Sequence, residues 1–125
     1  MNKGKNMKKI TIVRKKKFAG ALVPYWIIIG DKDAFMQEHG FTGDLCEMAD
    51  SGYAVSRITV EELDSVGVRI NNGQTVELEV PEEASALFVS TMDGCLSNGI
   101  PIKDGQRMTI TTAGGFRRLP YPTVE

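Results

Sequence analysis

Hydrophobic and polar residues alternate strictly from Thr75 to Val80, and this period of two is typical of a strand with one buried face. Tyr25–Ile29 is instead apolar throughout, which favours a buried strand that begins just after Pro24. Other short runs are also rich in strand-forming residues. The pattern predicts seven strands: residues 8–14, 24–29, 68–70, 75–80, 86–92, 100–102 and 107–112.

Two turn signals separate these strands. Asn71-Asn72-Gly73-Gln74 contains Asn-Gly, whose residues tolerate positive φ, and it predicts a β-hairpin between residues 68–70 and 75–80. Lys103-Asp104-Gly105-Gln106 is a second turn of the same kind. Seven short strands at close spacing predict an antiparallel sandwich or a small barrel.

Residues 31–67 differ in kind, because they lack sustained alternation and carry helix signals. Asp31 or Asp33 can cap a helix that ends near Gly40. A second helix is predicted over residues 44–49. A third begins at Thr59-Val60-Glu61-Glu62, which has capping-box spacing.

These elements are predicted to form a single domain, because 125 residues lie in the usual size range of one domain. The expected class is α+β, mainly β. We predict a seven-strand antiparallel β-sandwich with a short helical insertion, residues 31–67, between strands 2 and 3. Residues 1–7 are predicted to form a flexible basic leader, and residues 114–125 an extended tail.

A family resemblance rests on the turn-and-strand order in the second half. "NNGQTVELEVPEE" places a turn glycine before a strand that ends in a proline turn, and Ser97-Asn98, a strand and "DGQ" follow. Over residues 68–112 this order is similar to small bacterial β-sandwich domains of the PEGA and carboxypeptidase-regulatory-like kind. The chain departs from them in the insertion and at Ala84–Phe88, which lacks the usual glycine and polar residue. The resemblance implies an accessory, adhesive or interaction module without a catalytic centre.

The charge distribution is uneven although the formal net charge is only −1. Eight of the fifteen Lys and Arg residues lie within residues 1–17, and no acidic residue precedes Asp31. A basic N-terminal strand predicts, as an alternative function, binding of nucleic acid or an anionic surface. The residues that would contact the anion are Lys8, Lys9, Arg14, Lys15, Lys16 and Lys17.

The uncharged run from Phe18 to Ile29 is too short for a membrane-spanning helix, which needs about 20 residues. Gly30-Asp31-Lys32 follows it without a small-residue cleavage site, so a secretory signal is disfavoured. Cys46 and Cys95 lack the spacing of a zinc site or a redox pair, although a disulfide between them stays open. We therefore predict a cytoplasmic protein with reduced thiols.

Catalytic signals are sparse. His39 is the one histidine, and its position near a helix end favours a structural role over pairing with Cys46 or Cys95. The triplet Asp31-Lys32-Asp33 lacks the rest of a calcium loop, and the sequence contains no phosphate-binding loop. We expect no enzyme activity, no metal and no cofactor.

The leading hypothesis is a bacterial interaction module that binds a protein partner or itself. It would use the inserted helices or a sheet edge. A weaker alternative is a small enzyme or ligand-binding protein with a pocket where the insertion meets the sheet. The candidate partner-binding residues are Phe35, Met36, Phe41, Leu45, Met48 and Tyr53.

Overall fold

A computed structural model describes residues 7–16, 23–39, 58–92, 96–112 and 120–125. Within these ranges the chain is mainly β, with eight strands and two short helices, as the sequence predicts in outline. The strands are β1 (Met7–Arg14), β2 (Tyr25–Ile29), β3 (Gly67–Ile70), β4 (Thr75–Pro81), β5 (Ala86–Ser90), β6 (Ile100–Pro101), β7 (Gln106–Thr112) and β8 (Pro120–Val124). The helices α1 (Lys32–Glu38) and α2 (Val60–Val66) both lie between β2 and β3.

The strands form two four-stranded sheets. Sheet I has the order β4-β1-β7-β8, and sheet II has the order β3-β2-β5-β6. Buried side chains from both sheets form one cluster, which we call the inter-sheet core. Its members are Ile10, Ile12, Tyr25, Ile27, Ile70, Val80, Leu87, Val89, Ile102, Met108 and Ile110.

Alternation in the sequence corresponds to a single buried face in sheet I. In β1, Ile10 and Ile12 point into the inter-sheet core, while Lys9 on the other face is exposed. β4 and β7 follow the same rule. Because successive side chains of a strand point to opposite faces, sheet I keeps one apolar face and one polar face.

The strands of sheet II that are apolar throughout are buried on both faces. In β2, Tyr25 and Ile27 lie in the inter-sheet core, whereas Trp26 and Ile28 belong to a second cluster on the opposite face. This helix-side core contains Trp26, Ile28, Phe35, Met36, Ile58, Leu63, Phe88 and Leu96. The buried strand predicted after Pro24 is confirmed.

Helix α2 is fixed to sheet II by one carboxylate. The indole Nε1 of Trp26 donates a hydrogen bond to Asp64 Oδ1 at 2.8 Å, and Arg69 donates to both oxygens of Asp64 at 3.3 and 2.8 Å. The hydrogen bond from Trp26, followed by those from Arg69, holds the pKa of Asp64 below its usual value. The predicted capping box is also present, since Thr59 and Glu62 bond reciprocally.

Two features correct the predicted sandwich. The described strands number eight, because Pro120–Val124, predicted as part of an extended tail, pairs with β7. The sheets are also mostly rather than wholly antiparallel, since β1 and β7 run parallel with Ile10 opposite Gln106. A period-two pattern does not indicate in which direction a strand runs relative to its neighbour. Because the chain passes through sheet II between β1 and β7, no hairpin fixes the relative direction of these two strands either.

The predicted β-hairpin at residues 71–74 is wrong. The turn itself forms, with Gln74 N donating to Asn71 O at 3.0 Å, but β3 pairs with β2 and β4 pairs with β1. Gly73 has φ +77°, while no non-glycine residue in the described part of the chain has positive φ. This matches a type II turn, which splays its flanking strands where type I′ would pair them. The chain therefore crosses from sheet II to sheet I, and β4 becomes an edge strand.

The second turn, at residues 103–106, makes the same crossing from β6 to β7. Gly105 has φ +81°, and Gln106 N donates to Lys103 O at 3.1 Å. In both turns the glutamine side chain also accepts a hydrogen bond from the backbone N–H of the first residue, Asn71 or Lys103. The repeated Asx-Gly-Gln sequence thus forms the same sheet-to-sheet connection twice.

Candidate functional site: the outer edge of strand β4

The apolar residues of α1 are used by the chain itself. Phe35 and Met36 are each 8% exposed and lie in the helix-side core, where the ring of Phe35 meets that of Phe88 edge-on at 5.2 Å. They therefore offer little surface to a partner. The other four candidate partner-binding residues, Phe41, Leu45, Met48 and Tyr53, lie outside the described residues, as does the helix predicted at 44–49.

Arg14 has a structural position. It is 2% exposed, it donates from Nη1 to Ile70 O at 3.0 Å, and its guanidinium lies 3.9 Å from the centre of the Tyr25 ring. Burial lowers the pKa of Arg14, while Tyr25 acts in the opposite direction. Arg14 thus closes one end of the inter-sheet core and is withdrawn from any external anion.

The described lysines of the basic stretch do not share one face. Lys8 Nζ donates to Ala84 O at 2.8 Å. Lys9 lies on the polar face of sheet I, with Nζ 3.9 Å from the Glu79 carboxylate. Lys15 and Lys16 are exposed beyond the end of β1, and Lys17 lies outside the described residues. Strand alternation therefore separates the charges that the anion-binding alternative requires on one surface.

A small cleft is present at the junction between α1 and sheet II. Its volume is about 260 Å³, and its lining includes Ile28, Phe35, His39 and Val66. The His39 ring lies 4.4 Å from the Phe35 ring, and His39 Nδ1 is 3.8 Å from a carboxylate oxygen of Glu62. His39 thus links the end of α1 to the start of α2. Cys46, its proposed companion, lies outside the described residues.

The outer edge of β4 presents backbone groups that no described strand pairs. Arg14 N donates to Gln74 O at 2.9 Å, so the even-numbered residues of β4 bond to β1. Because hydrogen-bonding direction alternates along a strand, the N–H and C=O groups of Thr75, Glu77 and Glu79 point away from β1. No described strand lies on that side. Pro81, which has no N–H, ends the edge.

The opposite edge of sheet I is blocked. In β8, Glu125 N donates to Arg107 O at 2.9 Å, so the odd-numbered residues face β7 and the even-numbered ones face outward. Two of the outward positions are Pro120 and Pro122, which cannot donate a hydrogen bond to a further strand. Pro120 and Pro122 are tolerated because this edge needs no N–H from them.

The edges of sheet II are shorter than the β4 edge. β3 has four residues and β6 has two, against seven in β4. β4 is therefore the longest edge in the described part of the chain that prolines do not block. A longer edge can form more backbone hydrogen bonds with an added strand.

The side chains on β4 give this edge two distinct faces. Glu77 and Glu79 are exposed on the polar face of sheet I, beside a depression of about 620 Å³ that also includes Lys9 and Thr11. On the opposite face, Val76 and Leu78 are half-buried and pack against the inter-sheet core. A strand added at this edge would meet carboxylates on one side and apolar surface on the other.

The sequence predicts a usable sheet edge but not which strand supplies it. A signal for the blocked edge does exist, since Pro120 and Pro122 are two residues apart and therefore point their ring nitrogens the same way in a strand. No comparable signal marks β4, because its alternation is equally compatible with a central strand covered on one face.

Neither described helix has the length or apolar character to cross a lipid bilayer. In the described ranges, no three His, Cys, Asp or Glu side chains form a group that could hold a metal ion. No family model, curated protein or solved structure matches the chain. The resemblance to PEGA-like domains therefore stays a prediction.

Proposed function

We propose that the chain is a non-enzymatic interaction module that binds an extended segment of a protein partner by strand addition to β4. The observation that carries the proposal is the row of outward N–H and C=O groups at Thr75, Glu77 and Glu79. An added strand could form hydrogen bonds with each of these residues, and each bond contributes about 0.5–1.5 kcal/mol net. Addition to a sheet edge is a common mode of peptide recognition.

The fold that presents this edge is proposed to be a β-sandwich with the helical segment 31–67 as an insertion. The shared inter-sheet core supports this arrangement, because side chains from both sheets contribute to it. The insertion then has a supporting role, since the apolar residues of α1 and α2 cover the outer face of sheet II. A bacterial, cytoplasmic setting stays a prediction from the sequence.

Hydrogen exchange on the free chain tests the edge directly. Amide protons of Val76 and Leu78, which face β1, should exchange slowly, whereas those of Thr75, Glu77 and Glu79 should exchange at nearly unprotected rates. Slow exchange at the three outward amides in the monomer would mean that the edge is already covered.

Binding is tested with three synthetic peptides that alternate valine with lysine, glutamate or serine. We expect at least one of them to slow exchange at Thr75, Glu77 and Glu79, with no further change at Val76 and Leu78. Peptides that are N-methylated on the bonding amides are the matched control, because they keep the side chains and lose the backbone donors. If none of the three peptides protects the edge, strand addition is not the function of β4.

The substitution Glu77→Pro offers an independent check on the protein side. The N–H of residue 77 faces outward, so a proline there removes one edge donor and leaves the bonds to β1 in place. Glu77→Thr keeps the N–H and serves as the control. We expect the proline variant, but not the threonine variant, to lose binding of the serine peptide, which forms no ion pair with residue 77, while retaining the unfolding midpoint within a few degrees.

A further inference from the structure

We propose that the partner strand is amphipathic, with cationic side chains two residues apart on one face and apolar side chains on the other. This inference rests on the proposed strand addition at β4 and names the chemistry of the segment that adds. Glu77 and Glu79 are also two residues apart, and both are exposed on the polar face of sheet I. Directly opposed side chains on neighbouring strands lie about 5 Å apart at Cβ, so a Lys or Arg opposite each glutamate forms a cross-strand ion pair.

The apolar half of the partner follows from the other face of β4. Val76 and Leu78 are half-buried although they pack against the inter-sheet core. An added strand extends sheet I by one position, so its inward side chains would cover the remaining exposed area of these two residues. Removal of apolar area from water is favourable, so Val, Ile or Leu are favoured over polar residues at the inward positions.

Charge also argues against a second copy of β4 as the occupant. Antiparallel pairing of two β4 edges over their full length is centred on Leu78, because the strand runs from Thr75 to Pro81. That register places Glu77 of each copy opposite Glu79 of the other. Like charges directly opposite are destabilising, so this edge favours a cationic strand over its own sequence.

The depression beside the glutamates can take a long cationic side chain. Its volume is about 620 Å³, and the short Thr11 side chain forms part of its lining. Lys9 lies 3.9 Å from Glu79 but is itself largely exposed, so its ammonium can move aside into solvent. Glu77 has no described ion-pair partner and is the stronger of the two expected contacts.

The test compares the affinities of the lysine, serine and glutamate peptides by fluorescence anisotropy at low salt. We expect the lysine peptide to bind about tenfold more tightly than the glutamate peptide, with the serine peptide between them, since cross-strand ion pairs are individually weak. The preference should shrink as sodium chloride is raised, because salt screens exposed charges.

Two charge-reversal variants separate local recognition from net charge. Glu77→Lys/Glu79→Lys should reverse the peptide order. Glu82→Lys/Glu83→Lys changes the net charge equally but alters exposed residues of the turn beyond β4, so it should keep the order of the unmodified chain. Reversal in both variants would show attraction by net charge alone and would overturn the assignment to Glu77 and Glu79.

The remaining outcomes distinguish failure of this inference from failure of the proposed strand addition on which it rests. If all three peptides protect the outward amides of β4 with equal affinity, strand addition stands and the cationic partner is wrong. If the chain forms dimers by light scattering and exchange at Thr75 slows as chain concentration rises, a second copy occupies the edge and the inference fails. If no peptide protects the edge, both proposals fail together.

Discussion

The substitution Asp64→Ala should destabilise the chain, mainly because it leaves the buried indole N–H of Trp26 without its acceptor, which costs about 2 kcal/mol. Trp26 is fully buried, and its Nε1 donates to Asp64 at 2.8 Å. A hydrogen bond to a charged acceptor contributes about 1.5–3 kcal/mol. The Asp64–Arg69 pair adds little, because both side chains are nearly half exposed. The higher helix propensity of alanine offsets about as much.

The assay is urea unfolding in a double-mutant cycle with Trp26→Phe, which removes the indole N–H and keeps an aromatic ring. Far-UV circular dichroism follows all four proteins, because Trp26 is the one tryptophan and its fluorescence is lost in half of them. In the parent, Asp64→Ala should lose the Trp26 hydrogen bond, at about 2 kcal/mol, and in the Trp26→Phe background it should have little effect. An equal cost in both backgrounds would refute the assignment of this energy to the Trp26 hydrogen bond.

The same site sets an acid limit on stability. The pKa of Asp64 is lower in the folded chain than in the unfolded chain, where it is near 4. The stabilisation by ionised Asp64 is therefore complete above about pH 4 and is lost as the pH falls through the folded-state pKa. Asp64→Asn keeps an acceptor for Trp26 but does not titrate. Its stability should therefore fall less steeply below about pH 4 than that of the parent, and parallel pH profiles would contradict the linkage.

Three further substitutions test the layers and turns. Phe88→Ala should cost about 3–5 kcal/mol in urea unfolding, because Phe88 is fully buried beneath α1, whereas the exposed Met92→Ala should stay within about 0.5 kcal/mol of the parent. Gly67→Ala should cost about 1–3 kcal/mol, since a Cβ there lies 3.0 Å from the Ile27 carbonyl oxygen, and Gly99→Ala, with open space around it, should be nearly neutral. Gly105→Ala should lower the unfolding midpoint by several degrees, because φ is +81° and a Cβ is strained there; an unchanged midpoint would mean that the turn relaxes without cost.

The sequence predicts which residues of a strand are buried and which are exposed. It does not predict which other strand pairs with it. The turn at Asn71-Asn72-Gly73-Gln74 shows why. Its residues correctly indicate a turn near Gly73. A type I′ hairpin requires positive φ at Asn72 as well as at Gly73, whereas the observed sheet-to-sheet turn has positive φ at Gly73 alone. Asn tolerates either sign, so the choice was made by burial of β3 and β4 in different sheets.

The candidate site divides in the same way. The sequence shows Glu77 and Glu79 alternating with Val76 and Leu78. It also shows the spacing of Pro120 and Pro122, the two prolines that block the other edge of sheet I. The sequence did not decide which apolar residues of the insertion, such as Phe35 and Met36, pack on the sheet and which face a partner, because an apolar helix face looks the same whether its own sheet or a partner covers it. The alternative function included Arg14 among the residues that contact an anion, whereas its guanidinium packs against the Tyr25 ring.

What the sequence determined by itself is the local periodicity: where the first seven strands lie, where the described helices are capped, and where glycine allows a turn. These depend on neighbours a few residues apart and on the geometry of single side chains. The tertiary structure decided which strands pair, that β1 and β7 run parallel, and that β4 lies at an open edge. Those outcomes depend on burying apolar area shared between distant segments, and no short stretch of sequence contains that information.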